Sequence, residues 1–161
     1  MKKIVKEYTP YVFILVFVIL IRLYVICPIR VNGSCMYSTL HDGDIMILNI
    51  IGFRTQGVKR FDIVVVDDGR EPIVKRIIGL PGEEVSYKNN KLYINGKQVK
   101  DPYGKDVTED FTYKVKNGYF VLGDNRTNSK DSRYFGEFSK KQIKGKTNLI
   151  VFPFSRFGNK K

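Results

Sequence analysis

Two side chains in this sequence are candidates for taking a proton from a nucleophile, and their surroundings differ. His41 is the only histidine, and it lies in a turn-like segment, residues 39–44, where a lone histidine is more often solvated than catalytic. Lys75 lies within the apolar run of residues 73–78, and a lysine can act as a base where burial disfavours its charged form. Side chains alternate along a strand, so either Lys75 or Arg76 must face the less solvated side. This pattern alone slightly favours Lys75 on the outer face of a half-exposed strand.

Length and composition exclude several classes of protein. The chain has 161 residues, the size of one domain with at most an appendage, and 43% of them are apolar, too many for a disordered chain. Two cysteines and one histidine are too few for a Cys/His zinc site or a disulfide-stapled scaffold. No phosphate-binding glycine motif occurs. The net charge of +12 comes from basic residues interleaved with acids, without a Lys/Arg block. Together with the apolar N-terminal segment, this favours attraction to anionic lipid over nucleic-acid binding, and a solvated basic face stays open.

The N-terminal region predicts a membrane anchor. Residues 8–27 are almost wholly apolar, with Arg22 as the single charge, and their number suffices to cross a bilayer. A cleaved secretory signal is the first alternative, but residues 24–28 are bulky and the chain contains no alanine. A buried core helix is the second. The lysines at positions 2, 3 and 6 favour an N-terminus inside the cell. We therefore expect a cytoplasmic segment (1–7), a transmembrane anchor (8–28) and an extracytoplasmic β-rich domain (29–161).

The expected outer domain is mainly β. Short apolar runs occur at residues 45–48, 61–66, 73–78, 85–87, 92–94, 119–122 and 148–152, separated by Gly, Pro, Asn and Asp, and the runs at 85–87 and 92–94 alternate as in a hairpin. This pattern predicts an antiparallel sandwich or open barrel behind the anchor. Residues 101–117 are polar and lack a strand pattern, so an exposed excursion is expected there.

Three motifs resemble those of type I signal peptidases of the Gram-positive bacterial kind. They are V-N-G-S-C-M-Y-S-T-L at residues 31–40, V-K-R-I-I-G-L-P-G-E at residues 74–83, and G-D-N-R-T-N-S-K-D-S-R at residues 123–133. With R-F-D-I-V-V at residues 60–65 and the N-terminal anchor, the order and spacing match over nearly the whole chain. The third motif is highly specific for this family.

The resemblance implies a Ser/Lys endopeptidase that removes signal peptides from exported preproteins after small residues. Lys75 matches the neutral base, Ser129 matches the hydroxyl that orients it, and Asp131 with Arg133 matches a supporting ion pair. Backbone N–H groups at Gly33 and Cys35 would stabilise the oxyanion. The walls of the substrate pockets match Val31, Met36, Leu40, Ile73 and Val74. Extended segments near residues 31–34 and 71–74 would pair with the substrate as added strands.

The sequence departs from the family at the nucleophile, which falls on Cys35 instead of serine. The neighbouring Met36 and Leu40 fix the register, and on an extended segment Ser34 would point away from Cys35. Three outcomes stay open: a slow thiol protease, a deliberate replacement of the nucleophile, or a relative that has lost hydrolysis. Such a relative would bind exported substrates for surface-protein or pilus assembly. A disulfide between Cys27 and Cys35 is not expected.

The remaining expectations concern cofactors and location. No metal or organic cofactor is called for, because Arg126 and Arg133 stand beside the Asp124 and Asp131 carboxylates and favour ion pairs. The expected partners are signal peptides and the lipid bilayer. The expected location is the bacterial cell membrane, with a single span.

Overall fold

A computed structural model of the chain describes residues 2–24, 26–104 and 106–160. Within these residues, strands predominate over helices, and eleven strands pair in two antiparallel sheets. The prediction of a mainly β, antiparallel fold is confirmed.

Most elements of the chain are strands, and most of the helices are short. In order they are α1 (Lys2–Tyr24), β1 (Ile26–Arg30), β2 (Ile45–Asn49), α2 (Ile50–Gln56), β3 (Ile63–Asp67), β4 (Pro72–Gly79), β5 (Glu84–Lys88), β6 (Lys91–Ile94), β7 (Lys97–Val99), β8 (Phe111–Lys114), β9 (Phe120–Leu122), a 3-10 turn (Arg126–Asn128), α3 (Ser132–Phe135), β10 (Ile143–Phe152), a 3-10 turn (Phe154–Arg156) and β11 (Gly158–Asn159).

The N-terminal segment forms helix α1, whose side chains between Tyr11 and Ile19 are exposed and apolar. In the described parts of the chain, no helix combines the length and apolarity needed to cross a bilayer. Cys27 and Pro28, which fall inside the predicted anchor, belong to strand β1 and pair with β2. The domain bounds expected from the sequence therefore stay a prediction.

The first sheet has the strand order β1-β2-β10-β3-β4-β9, with β11 added to β10. Both of its faces are covered around β3. Ile63 and Val65 pack in one apolar cluster, while Val64 and Val66 pack in another on the opposite face. This double burial explains why the sequence of β3 is a continuous apolar run instead of an alternating one.

The second sheet has the order β7-β6-β5-β8 and covers its own apolar cluster. The hairpin between β5 and β6 turns at Asn89 and Asn90, both with positive φ, as their side chains and position predict. The expectation of an exposed, strand-free excursion at residues 101–117 is wrong. β8 lies within it, and Thr108 and Val115 are buried. The apolar partner of β8 is β5, and such long-range pairing leaves little local sequence signal.

Candidate active site

The candidate nucleophile and base line one cavity of about 450 Å³. The tip of the β3–β4 hairpin and the segment around α3 form the rest of the cavity wall. The other lining residues are Asp68, Arg70, Glu71, Ile73, Lys130 and Phe135. The sequence placed Cys35 and Lys75 forty residues apart, and the fold brings both to one open space.

Lys75 is positioned by the middle of strand β4. It lies opposite Val64 of β3, on the face that also carries the apolar side chains of Val66 and Ile77. Only 2% of its surface is exposed. No ion pair and no side-chain hydrogen bond to Lys75 is found among the described residues. The Lys75 amine is therefore buried beside this apolar cluster without a counter-ion among the described residues. The slight preference for an outer strand face is wrong, because both faces of β4 are covered.

Cys35 is held at the free edge of β4 by backbone contacts. Its carbonyl accepts a hydrogen bond from the Asn125 N–H at 3.0 Å. Its thiol donates a hydrogen bond to the Val74 carbonyl oxygen, with 3.7 Å between Sγ and the oxygen. The neighbouring Ser34 is engaged elsewhere, because its Oγ accepts a hydrogen bond from Asn128 at 2.9 Å. The thiol of Cys35, and not the Ser34 hydroxyl, therefore faces the edge beside Lys75.

The two expected oxyanion donors differ in availability. The Gly33 N–H donates to the Asp42 carboxylate at 2.8 Å. The Cys35 N–H donates no hydrogen bond within the described residues, so it is open to a substrate oxygen. In the arrangement described here, only one of the two predicted groups is free for that role.

The Ser129 side chain lies close to the Cys35 backbone, but its hydroxyl makes no hydrogen bond. The side chain is buried, with 8% of the residue exposed, and its Oγ has no hydrogen-bond partner in the described structure. The hydrogen bond to Lys75 that the resemblance implies is therefore not formed. An unsatisfied buried hydroxyl is rare in folded proteins and is often explained by function.

The predicted ion pair between Asp131 and Arg133 is formed. Arg133 Nε lies 2.9 Å from Asp131 Oδ1, and the carboxylate is fully buried. Asp131 Oδ2 also accepts the Gly123 N–H at 3.1 Å, and Arg133 Nη2 donates to the Arg126 carbonyl at 2.7 Å. The pair therefore ties both ends of the loop that carries Ser129.

A second buried ion pair was assigned the wrong partner from the sequence. Asp124 was expected to pair with the arginines beside it, yet it binds Arg76, the residue after the candidate base. Arg76 Nε and Nη2 reach the two carboxylate oxygens at 2.7 and 2.6 Å, and neither side chain is exposed. Thr39 adds a hydrogen bond to Asp124 at 2.5 Å. Side chains alternate along β4, so Arg76 lies on the opposite face of the sheet from Lys75. This alternation was the only sequence signal for the buried position of Arg76.

Most of the predicted pocket walls belong to the protein core. Val31, Met36, Leu40 and Val74 are buried in the cluster against which Cys35 packs, and Ile73 alone of the five lines the cavity. Met36 and Leu40 have no exposed surface, and Val31 and Val74 expose only 1% and 7%, so these four residues offer almost no surface to a ligand.

Two other features lie apart from this cavity. His41 stacks on Tyr37 with ring centroids 5.2 Å apart, and its Nε2 lies 3.2 Å from Arg156. It is absent from the lining of the Cys35 cavity. A cavity of about 510 Å³ near Phe61 and Lys146 contains neither Cys35 nor Lys75. The described residues contain no cluster of side chains suited to a metal ion, and both cysteines are free thiols.

The antiparallel β fold is that of a signal peptidase-like domain, as comparison with known proteins shows. The family model described as "Signal peptidase, peptidase S26" matches residues 4–152. The chain belongs to this signal peptidase family.

Several relatives are similar over most of the chain. Signal peptidase I of Bacillus amyloliquefaciens is 44% identical over 154 residues, covering 87% of this chain and 83% of the relative. Signal peptidase IB of Staphylococcus aureus is 38% identical over 156 residues, covering 83% of this chain and 82% of the relative. The crystal structure of a signal peptidase I from Enterococcus faecalis has a TM-score of 0.52 and 40% identity, covering 55% of this chain and 95% of that one.

Proposed function

We propose that this protein is an endopeptidase that removes N-terminal signal peptides from exported preproteins after small residues, with the Cys35 thiol in place of the usual serine. The observation that carries the proposal is the shared cavity of Cys35 and the buried, unpaired Lys75. The names of the relatives, signal peptidase I and IB, agree with the substrate class.

The free edge of β4 supports binding of an extended substrate. β4 pairs with β3 from Pro72 to Arg76, but it pairs with β9 only from Arg76 onward. Residues 72–75 therefore have one unpaired edge, and Cys35 lies against it at Val74. A peptide that added a strand there would place its backbone carbonyls beside the thiol.

The proposed reaction proceeds in two steps. The Lys75 amine accepts the thiol proton, and Cys35 Sγ forms a bond to the scissile carbonyl carbon while the Cys35 N–H stabilises the oxyanion. The carbon–nitrogen bond then breaks, the leaving amine takes the proton from Lys75, and a thioester remains. Water gives a proton to Lys75 and attacks the thioester, which releases the signal peptide acid and returns the proton to Sγ.

A non-hydrolytic role is the second candidate, and two observations favour it. Sulfur replaces oxygen at the nucleophile, and Ser129 makes no hydrogen bond to orient Lys75. Such a protein would bind exported substrates in the same groove, without cutting them, for surface-protein or pilus assembly.

We also propose that helix α1 attaches the protein to the bacterial membrane with the β domain outside. The exposed apolar side chains between Tyr11 and Ile19 support attachment, and residues 8–27 hold only one charge, on Arg22. Residues 31–161 carry a net charge of +8, which would attract anionic lipid. Full-length protein that leaves the membrane fraction in alkaline carbonate would contradict the anchor.

Cleavage of a preprotein by the full-length chain in detergent tests the catalytic proposal. Cys35→Ser should cut faster than the wild-type chain, and an added Lys75→Ala should slow it about 10²–10⁴-fold, the range expected for loss of a general base. Lys91→Ala, which changes an exposed lysine on another strand, is the matched control. Equal cleavage by the Lys75→Ala form would overturn the assignment. Binding without cleavage by every form would select the non-hydrolytic role.

A further inference from the structure

The turn at residues 101–104 contacts two buried arginines, Arg126 and Arg76, which belong to two of the three motifs. It follows β7 of the second sheet and is distant in sequence from all three motifs. Asp101 forms an ion pair with Arg126 at 2.5 Å, and the Tyr103 ring lies over the guanidinium of Arg76, 3.5 Å from its Cζ to the ring centroid. One short turn thus contacts both arginines.

Arg126 joins this turn to the loop that contacts Cys35. Its Nη2 binds Asp101 and its Nη1 donates to the Tyr87 hydroxyl at 2.5 Å, while its Nε donates to the Gly123 carbonyl at 2.9 Å. The guanidinium is planar and rigid. Its contacts with Tyr87 and Asp101 therefore fix its orientation, and with it the position of the Gly123 carbonyl in the loop. Asn125, within that loop, donates its N–H to the Cys35 carbonyl.

The Asp101 carboxylate is well suited to fix this arrangement. Oδ1 accepts the Tyr103 N–H at 3.0 Å and so shapes the turn, while Oδ2 accepts from Arg126 and from the Tyr87 hydroxyl. Burial tends to raise the pKa of the Asp101 carboxyl, but the Arg126 charge and these hydrogen bonds outweigh it and lower the pKa. Burial raises the pKa of Tyr87, so its phenol keeps the proton that it donates.

Gly104 shows how closely the turn packs on Arg126. A Cβ atom at this position would lie 2.6 Å from Arg126 Cζ, well inside normal contact distance. Only a residue without a side chain allows the backbone to lie flat against the buried guanidinium. An added methyl group would push Arg126 away without removing any polar group.

We propose that the 101–104 turn positions the catalytic residues, with Asp101 acting through Arg126 and Tyr103 acting through Arg76. Arg76 acts on the site through its neighbours. It follows Lys75 directly on β4, and it binds Asp124, the residue before Asn125. Asp101 and Tyr103 touch neither nucleophile nor base; they are positioning residues. The inference rests on the proposed function for its kinetic readout and has a second readout that does not.

The test uses the full-length chain in detergent with Cys27→Ser, which leaves Cys35 as the single thiol. Asp101→Asn and Gly104→Ala are compared with Glu109→Gln, an exposed acid on the same segment. The first readout is the rate of Cys35 alkylation by iodoacetamide from about pH 6 to about pH 9, since the thiolate is the reactive form. The second is kcat and KM on a preprotein in the Cys35→Ser form. Thermal unfolding shows which variants are folded.

We expect Asp101→Asn and Gly104→Ala to lower kcat at least about tenfold with KM nearly unchanged, and to shift the pH profile of alkylation. Glu109→Gln should match the parent in both. A purely structural role would lower the unfolding temperature without moving the alkylation profile of the folded protein. If Asp101→Asn does not fold, Gly104→Ala and Tyr103→Leu decide.

Folded variants with the parent's kcat and alkylation profile would overturn the proposal. If the Cys35→Ser parent cuts nothing, the proposed function fails, and the alkylation profile alone then decides on the turn. An unchanged profile in that case would also overturn the positioning role.

Discussion

Gly123 lies against the backbone of Cys35 so closely that no side chain fits between them. A Cβ atom on Gly123 would lie 2.5 Å from the Cys35 carbonyl oxygen and 2.6 Å from the Cβ of Ser129. The first residue of the G-D-N-R motif is therefore glycine because two parts of the site meet across it. Its backbone conformation is not the reason, since no positive φ occurs there.

Gly123→Ala is expected to damage the site more than the fold. The methyl group must displace Cys35 or Ser129, and a shift of about 1 Å near the reacting atoms can lower activity about 10²-fold. Preprotein cleavage by the Cys35→Ser form measures the loss.

Gly57→Ala is the control for Gly123→Ala. Gly57 has a φ of 67° and open space around it, so the change strains the backbone without a clash. We expect it to destabilise the fold by about 1 kcal/mol and to leave cleavage intact. Equal cleavage by both variants would show that the close approach at Gly123 has no role in catalysis.

Ser129→Ala should separate stability from activity. The Ser129 hydroxyl is buried without a partner, and such a group costs about 1–3 kcal/mol of folding free energy. Its removal is therefore expected to leave the free energy of unfolding unchanged or to raise it, while cleavage falls. Urea unfolding and preprotein cleavage, measured on the same sample, give the two numbers.

Ser132→Ala provides the opposite case in the same segment. The Ser132 Oγ accepts the Val121 N–H at 2.8 Å, so its loss leaves a buried donor without a partner. We expect about 1–3 kcal/mol of destabilisation. A Ser129→Ala protein destabilised as much as Ser132→Ala would mean that the Ser129 hydroxyl has a structural partner.

The sequence predicted the strands, and the proximity of Cys35 to Lys75, better than the contacts that support them. The local sequence was sufficient for β3, β4 and the β5–β6 hairpin, because each has a continuous or alternating apolar run or a turn signal of its own. It could not find β8, whose burial depends on β5, or α2, whose N-terminus is capped by Asn49 directly after a strand.

The same limit applies to the buried arginines. Arg76 pairs with Asp124 across 48 positions, and Arg126 pairs with Asp101 across 25. Sequence neighbours suggested nearer partners, because pairing between distant charges follows from sheet order and leaves no periodic trace. Cys35 was found through motif resemblance alone, whereas Lys75 was already a candidate base because it lies within an apolar run.

Breaking the Arg76–Asp124 pair is expected to lower the free energy of unfolding strongly. Asp124→Asn leaves the fully buried Arg76 without its counter-charge, and breaking such a pair costs about 3–5 kcal/mol. Lys144→Ala, which breaks the surface pair with Asp67, should cost no more than about 1 kcal/mol. Urea unfolding of both variants measures the difference.

Replacement of both partners tests whether the charge itself matters. Arg76→Met with Asp124→Leu removes the two charges together, and we expect the double variant to be more stable than Asp124→Asn alone. A double variant as unstable as the single one would assign the effect to lost packing.

Acid should reveal the contribution of Asp101. The pKa of its carboxyl is lowered in the folded protein, chiefly by Arg126 against the opposing effect of burial. A lowered folded-state pKa stabilises the protein above the unfolded-state value of about 4, and the stabilisation is lost as the pH falls through the folded-state value. Asp101→Asn removes this contribution at every pH.

The wild-type chain should therefore exceed the variant in free energy of unfolding at pH 7, and the gap should narrow as the pH falls below about 4. Urea unfolding of both proteins at several pH values measures the gap, and a gap that is constant down to pH values that unfold the wild type would contradict an ionised Asp101 paired with Arg126.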